Sequence, residues 1–317
     1  MSDGVTLVLG AGGIVGHAWH AGVLAAVLEG TDWDARSADV VIGTSAGSMV
    51  GALLRAGIGP ADLAARATGG SVSTEARRLL ESAGMAGPPP GPPAPRPPRV
   101  FRPSSIGMLG RAATTLRPGL LAGALPRGSV DPGYAGLLGR LFRSGWPAVP
   151  LWLNAVRLRD GRRVTFGKDD DAGGDVGGAV AASCAIPGYY TPVTLAGEEY
   201  VDGGVHSPTN ADVAAGGPGL VLVSSPMSVG RAALRPRPEL VGRLTHRAAL
   251  RREVAGLRRA GRTVVTFQPG PEDLAVMGGG ANALDARRRD GVARQAREST
   301  LRRLGSPRLR EALAALH

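Results

Sequence analysis

An α/β fold with a mostly parallel central sheet flanked by helices is what three features of this sequence predict. Residues 5 to 9, "VTLVL", read as a short buried strand that leads through the glycine-rich turn "GAGGIVGH" into the apolar helix "AWHAGVLAAVLEG". A second strand, "ADVVIG", gives way at a serine between Gly43 and Gly47 to an Ala- and Leu-rich helix running to about Gly57. Two strand-loop-helix units in close succession are joined by a crossover, which lays their strands parallel in one sheet. Third, 317 residues with 43% hydrophobic content are enough for a sizeable core, and mark a globular chain despite its 49 glycines and 25 prolines.

Gly30 closes the first helix. From about residue 60 to 150 the pattern loosens. "GPPPGPPAPRPP", residues 87 to 98, is expected to be an extended, semi-rigid loop, and "SSIGMLGRAATTLRPGLLAGALP" after it is apolar without clear helical periodicity. Together they make a stretch at about 87 to 125 that either packs on the core or covers a site. "PLWLNAVRL" and "RRVTFG" flank an Asp-Gly turn as an antiparallel pair. A small-residue helix, "GGAVAASCAI", ends before Pro187. A strand-rich stretch holding Asp202, the strand "LVLVSSP", a helix at about 238 to 260, the strand "TVVTFQP" and an arginine-rich helix at about 282 to 304 complete the chain. There is no internal repeat, and residues 1 to 317 are expected to form a single domain.

Cys184 is the lone cysteine, so no internal disulfide forms and a cytoplasmic, reducing setting is permitted; its ordinary role is that of a small buried residue. The N-terminus lacks the basic and apolar regions of a secretion signal, and no apolar run approaches the roughly 18 residues of a spanning helix. A cytoplasmic protein, at most peripheral at a membrane, is therefore expected. The net charge of +11 lies wholly in residues 231 to 317, where 19 arginines face 8 acids. Such a tail either forms solvated helix faces or attracts an anionic lipid surface. Nucleic acid is not an expected partner, and the sequence sets no oligomeric state.

The chemistry concentrates in three short stretches. "GTSAG", Gly43 to Gly47, fits a nucleophile elbow, a strand-to-helix turn that lifts the Ser45 hydroxyl out of the fold beside a helix N-terminus. "GAGGIVG" lacks the Gly-Lys-Ser/Thr of a phosphate loop, and Val15 stands where a dinucleotide fingerprint needs its third glycine. What remains is a turn whose amides, around Gly12, Gly13 and Ile14, can approach an oxyanion. A serine needs a base. None of His17, His20, His206, His246 and His317 lies in a context that singles it out, whereas Asp202 in "YVDGGVHSP" ends a strand before two glycines that let the carboxylate face another loop.

In these residues the chain resembles the patatin-like phospholipase family. The glycine-rich loop "LGAGGIVGHAWHAGVL", the "GTSAG" elbow and the "DGG" motif stand in the family's order, with "ASCAIPGYYTPV" similar to its helix and proline turn, and the likeness spans most of residues 5 to 215. The resemblance implies a patatin-like three-layer sandwich and a Ser-Asp dyad, with Ser45 as nucleophile, Asp202 as base and the amides around Gly12 and Gly13 as oxyanion hole. It implies a lipid or acyl-ester substrate. Many relatives carry a basic residue in the first loop where this chain has Ile14-Val15, so only backbone donors are expected there. No His/Cys/Asp cluster has ligand spacing, and neither metal nor organic cofactor is expected. The competing expectation is a catalytically silent lipid- or partner-binding scaffold of the same fold; a nucleotide-binding protein lacks every element after "GAGGIVG".

Overall fold

The β-branched runs assemble into one sheet in the computed structural model, which describes residues 4–87, 91–98, 101–115, 117–169, 173–217, 219–233, 241–279, 282–313 and 316. Its strands are β1 (Val5–Leu9), β2 (Val40–Thr44), β3 (Leu151–Arg157), β4 (Arg163–Phe166), β5 (Val193–Leu195), β6 (Glu198–Asp202), β7 (Leu220–Ser224) and β8 (Thr263–Phe267). The order is β5-β6-β3-β2-β1-β7-β8, with β4 paired to β3. From β3 to β8 the neighbours run parallel, while β4, β5 and β6 pair antiparallel. β1, β2 and β7 are buried at every residue, as strands covered on both faces must be.

Alternation along β3 separates those faces. Leu151, Leu153 and Ala155 join the larger core with α1 (Gly13–Thr31), α2 (Ala46–Arg55), α3 (Pro60–Thr68), α4 (Thr74–Ser82), α7 (Val176–Ser183) and α10 (Arg289–Leu304). Trp152 and Val156 point the other way. There α8 (Val241–Arg259) covers β1, β2 and β7, and α5 (Ile106–Thr115) covers β3 and β6. The helices α6 (Gly133–Gly136), α9 (Pro271–Met277) and α11 (Pro307–Leu313) complete the described set. Helix-sheet-helix layering of this kind is the architecture the sequence predicts.

One sequence expectation changes, and one alternative left open gains an answer for its apolar part. The loosened stretch after residue 60 holds regular helices, α3 opening with Pro60 at its first turn and α4 capped by the Ser73 side chain. The apolar segment after the proline loop packs on the core: Met108, Ala112 and Leu120 lie against Val156, Leu158 and Val201. A Cβ at Gly107 would come within 1.9 Å of the Arg159 carbonyl oxygen, so this helix approaches the β3–β4 turn through a glycine. Close approach replaces the large residues whose spacing would have revealed the helix. Residues 88–90, 99–100 and 116 of the stretch lie outside the described residues, as do 234–240, where the sequence begins the helix that is described from Val241.

Candidate active site

Strand register brings Ser45 and Asp202 together. Leu153 and Asn154 pair with both β2 and β4, so those strands hold opposite edges of β3. Ala155 and Val156 pair with both β4 and β6, so β6 takes the edge that β2 has just left. β2 ends with Thr44 opposite Asn154, and β6 ends with Asp202 opposite Ala155. Ser45, the next residue of the first, therefore meets the last residue of the second where the edge changes hands. Two residues 157 positions apart in sequence become neighbours in this way.

Ser45 has φ 53° and ψ −117°, a conformation that costs a non-glycine residue on the order of 1–3 kcal/mol. Its surroundings hold it there. Its N–H donates to Ser183 Oγ at 2.9 Å, Ser183 Oγ donates to the Asn154 carbonyl at 2.7 Å, and Ser48 Oγ donates to the Ser45 carbonyl at 2.6 Å. The flanking glycines are steric: a Cβ at Gly43 would lie 2.5 Å from Ser48 Cα, and one at Gly47 would lie 2.0 Å from the Leu9 carbonyl oxygen. Ser45 is only 4% exposed. The elbow sets Ser45 on the wall of a cavity.

Asp202 is buried, and burial pushes its carboxyl up to about 6, against the pull of hydrogen bonds from the Ser45 hydroxyl and the Gly204 N–H. The Gly204 bond is 2.7 Å long and ends on Oδ1. Gly203 leaves no room for a side chain, since a Cβ would sit 2.3 Å from the Asn154 carbonyl oxygen. Asn210 Nδ2 donates to Thr44 Oγ1 at 3.1 Å and to the Gly203 carbonyl at 3.3 Å, tying the strand end before Ser45 to the turn after Asp202.

The glycine-rich turn is shorter than its sequence suggests, because α1 starts at Gly13. Parallel pairing of Leu9 with Gly43 sets Gly10 to Gly12 beside the elbow. The amides of Ala11, Val15 and Gly16 donate to Pro208, Ala283 and Gly12. Those of Gly12, Gly13 and Ile14 have no acceptor among the described residues, nor does that of Ala46, the first amide of α2. Gly13 has φ +60° and a Cβ there would lie 2.6 Å from the Ala283 carbonyl oxygen, so only glycine fits. His20 fixes the turn from below: its ring nitrogens lie 2.8 Å from the Gly10 carbonyl and 2.8 Å from Ser224 Oγ. Burial lowers its pKa to about 4, leaving a neutral ring.

These groups line or underlie a cavity of about 860 Å³ including its mouth, walled by Ile14, Met49, Ile186 and Tyr190 among others. Gly91, Pro92 and Pro93 of the proline-rich loop form part of the same wall. Cys184, expected as a plain core residue, is only half-buried and lines the cavity, its Sγ 3.6 Å from Ser48 Oγ. Burial first, then the nearby Asp202, push its thiol up to about 12, so it stays protonated. Sequence reasoning also missed His17, Ser183, Asn154 and Asn210. His17, Ser183 and Asn154 fall inside stretches named from the sequence without being singled out there, Asn210 falls in none, and only the folded register gives them a place. No group of three or more His, Cys, Asp or Glu residues among the described residues is arranged to hold a metal ion.

The sequence profile of the patatin-like phospholipase family matches residues 7–215, and the chain belongs to that family. Its members are lipid acyl hydrolases. Among solved structures, VipD from Legionella pneumophila is similar over 96% of this chain, at 14% identity and a TM-score of 0.40. The chain spans 66% of the length of that protein's chain. A search of curated proteins gave no match.

Proposed function

We propose that the protein is a serine-dependent lipid acyl-ester hydrolase working through a Ser45–Asp202 dyad. Asp202 accepts the hydroxyl proton as Ser45 Oγ attacks the acyl carbonyl. The developing oxyanion meets the amides of Gly12, Gly13 and Ile14, at the positive end of α1. Collapse of the tetrahedral adduct expels the alcohol or lysolipid, which takes its proton from Asp202. Asp202 then deprotonates a water that attacks the acyl-Ser45 ester, and collapse of this second adduct releases the product acid as Ser45 Oγ takes the proton back from Asp202.

The observation that carries this reading is the strand register that sets Ser45, on the wall of a largely apolar cavity, beside the buried carboxyl of Asp202. Two features of Asp202 suit a base. Its pKa of about 6 leaves it ionised at neutral pH yet basic enough to take a proton, and its bond to Gly204 holds it in place. No histidine is needed: His206, four residues on, is held neutral by burial and nearby arginines, its pKa lowered to about 3. A fluorophosphonate probe tests the assignment. It should label one peptide, the one containing Ser45, and undiminished labelling of the Ser45→Ala protein would refute it.

A further inference from the structure

The largely apolar cavity at Ser45 holds two polar groups that the proposed reaction does not use. Gly13, Ile14 and His17 all line it from α1. His17 stands four residues after Gly13, about 6 Å along the helix, and helical side chains lean toward the N-terminus, which draws the ring back toward the Gly13 amide. The residue is 5% exposed, and its Nε2 is buried with no hydrogen-bond partner among the described residues. Burial first, then Arg66, His20 and Arg289, lower its pKa to about 3, so the ring is neutral. Tyr134 lines the same cavity. Its hydroxyl oxygen accepts from Arg66 Nη2 at 3.0 Å, which leaves the O–H to donate in another direction.

The mechanism fixes which part of a substrate meets these groups. The leaving alcohol takes its proton from Asp202 and so lies on the Asp202 side of Ser45. Asp202 is not part of the cavity wall, which Ile14, Met49, Val130, Ile186 and Leu284 make largely hydrocarbon. The cavity is thereby left to the acyl chain. Asp131 and Arg289 also border it, and their opposite charges favour neither an anion nor a cation. A buried nitrogen without a partner is costly, and a neutral group on the chain removes that cost. A hydroxyl suits it best. A neutral imidazole nitrogen donates in one tautomer and accepts in the other; a hydroxyl answers both and still accepts from Tyr134, whereas a carbonyl or ether oxygen answers only a donor.

We infer that His17 and Tyr134 hold a hydroxyl on the acyl chain of the substrate, close to its carbonyl, and so make the enzyme selective for β-hydroxyacyl esters. The inference rests on reading Ser45 as the nucleophile and the Gly13 amide as part of the oxyanion hole. A β-hydroxyl is the nearest one a saturated chain can offer on the far side of its α-carbon, and a ring that leans back over the first turn of α1 reaches that position without leaving the cavity wall. A plain acyl chain passing the same wall leaves His17 Nε2 without a partner and is bound less tightly for that reason.

The test titrates the protein by calorimetry with heptyl methyl ketone and with its β-hydroxy derivative. A ketone has no ester bond to cleave, so the preference is read whether or not Ser45 is the nucleophile; failure of that reading shows separately, as undiminished ester hydrolysis by Ser45→Ala. The hydroxyketone should bind about fivefold or more tighter, and kcat/KM for methyl β-hydroxyoctanoate should exceed that for methyl octanoate by a similar factor. His17→Leu should remove both preferences. Tyr134→Phe should weaken them, which keeps the test valid if the His17 variant fails to fold. A purely structural role for either residue would lower binding of both ketones alike and keep their ratio, and that result overturns the inference. Equal binding of the two ketones to the unaltered protein also overturns it, because water would then serve His17 as well as the hydroxyl does.

Discussion

At Asp202 one carboxyl carries two opposed demands. The proposed mechanism needs it ionised, and burial resists the charge. Its pKa of about 6 against an ordinary 3.8 means that the fold gains stability from protonating it. That contribution is present at low pH, is lost as pH rises from about 4 to about 6, and is wholly absent above. Hydrolysis should follow the opposite course, rising with pH through about 6. Asp202→Asn removes both effects. Turnover should fall on the order of a thousandfold, while stability at pH 8 should rise by up to about 3 kcal/mol, with no gain at pH 4. Rate-pH profiles and denaturant melts at the two pH values check this, and a variant destabilised at pH 8 contradicts it. His206→Ala should cost little turnover. The shielded base and the strained Ser45 both fit a site whose geometry is held from outside, by Ser183, Ser48, Asn154 and Asn210.

Among the elements, much was legible and the rest was hidden for definite reasons. A β-branched run stopping at a glycine, then a serine, then a small-residue helix reveals β2, the elbow and α2 because the steric demands are local: Gly43 and Gly47 sit where a Cβ would strike backbone. The sharing of a β3 edge between β2 and β6 is not local, and no pattern in either strand announces it. Asn154 and Asn210 read as ordinary polar residues for the same reason. α5 hid because glycine stands where it approaches its neighbour most closely. α1 and α10 meet in a comparable way at Gly22, where a Cβ would come within 2.2 Å of the Ala293 carbonyl oxygen and 2.9 Å of Ala296 Cβ. Gly22→Ala should force these helices apart and destabilise the protein by about 1–3 kcal/mol, despite alanine's better helix propensity. A thermal melt measures it, and an unchanged or raised midpoint would show that the contact is not tight. Because Arg289, the first residue of α10, lines the cavity, the same substitution should also weaken turnover.

For the molecule as a whole, the basic C-terminal region divides into arginines that build the fold and arginines that do not. Arg243, Arg247, Arg258 and Arg303 donate to the carbonyls of Pro226, Val229, Val264 and Thr266, and Arg294, Arg297 and Arg302 pair with acids. On α8, Arg251, Arg252 and Arg259 are exposed and form no ion pair among the described residues. Their spacing sets them on one side of the helix. Each basic group near an anionic bilayer contributes about 1 kcal/mol, screened over a Debye length of about 8 Å at physiological salt. The protein should therefore cosediment with anionic vesicles at low salt and not with neutral ones, and reversing these three arginines to glutamate should abolish that binding. Binding indifferent to salt and to lipid charge would mean that the arginines are only a solvated face. No helix among the described residues is long and apolar enough to cross a membrane.

The central claim is that Ser45 carries the acyl group and Asp202 moves the proton. Rapid acid quenching of the enzyme with a slowly hydrolysed long-chain acyl ester, followed by peptide mass spectrometry, reads it directly. The peptide containing Ser45 should gain the mass of the acyl group within the first turnover, and the Asp202→Asn protein should gain it about a thousandfold more slowly. An acyl group on any other residue, or product formed at an undiminished rate by the Ser45→Ala protein, would contradict the account.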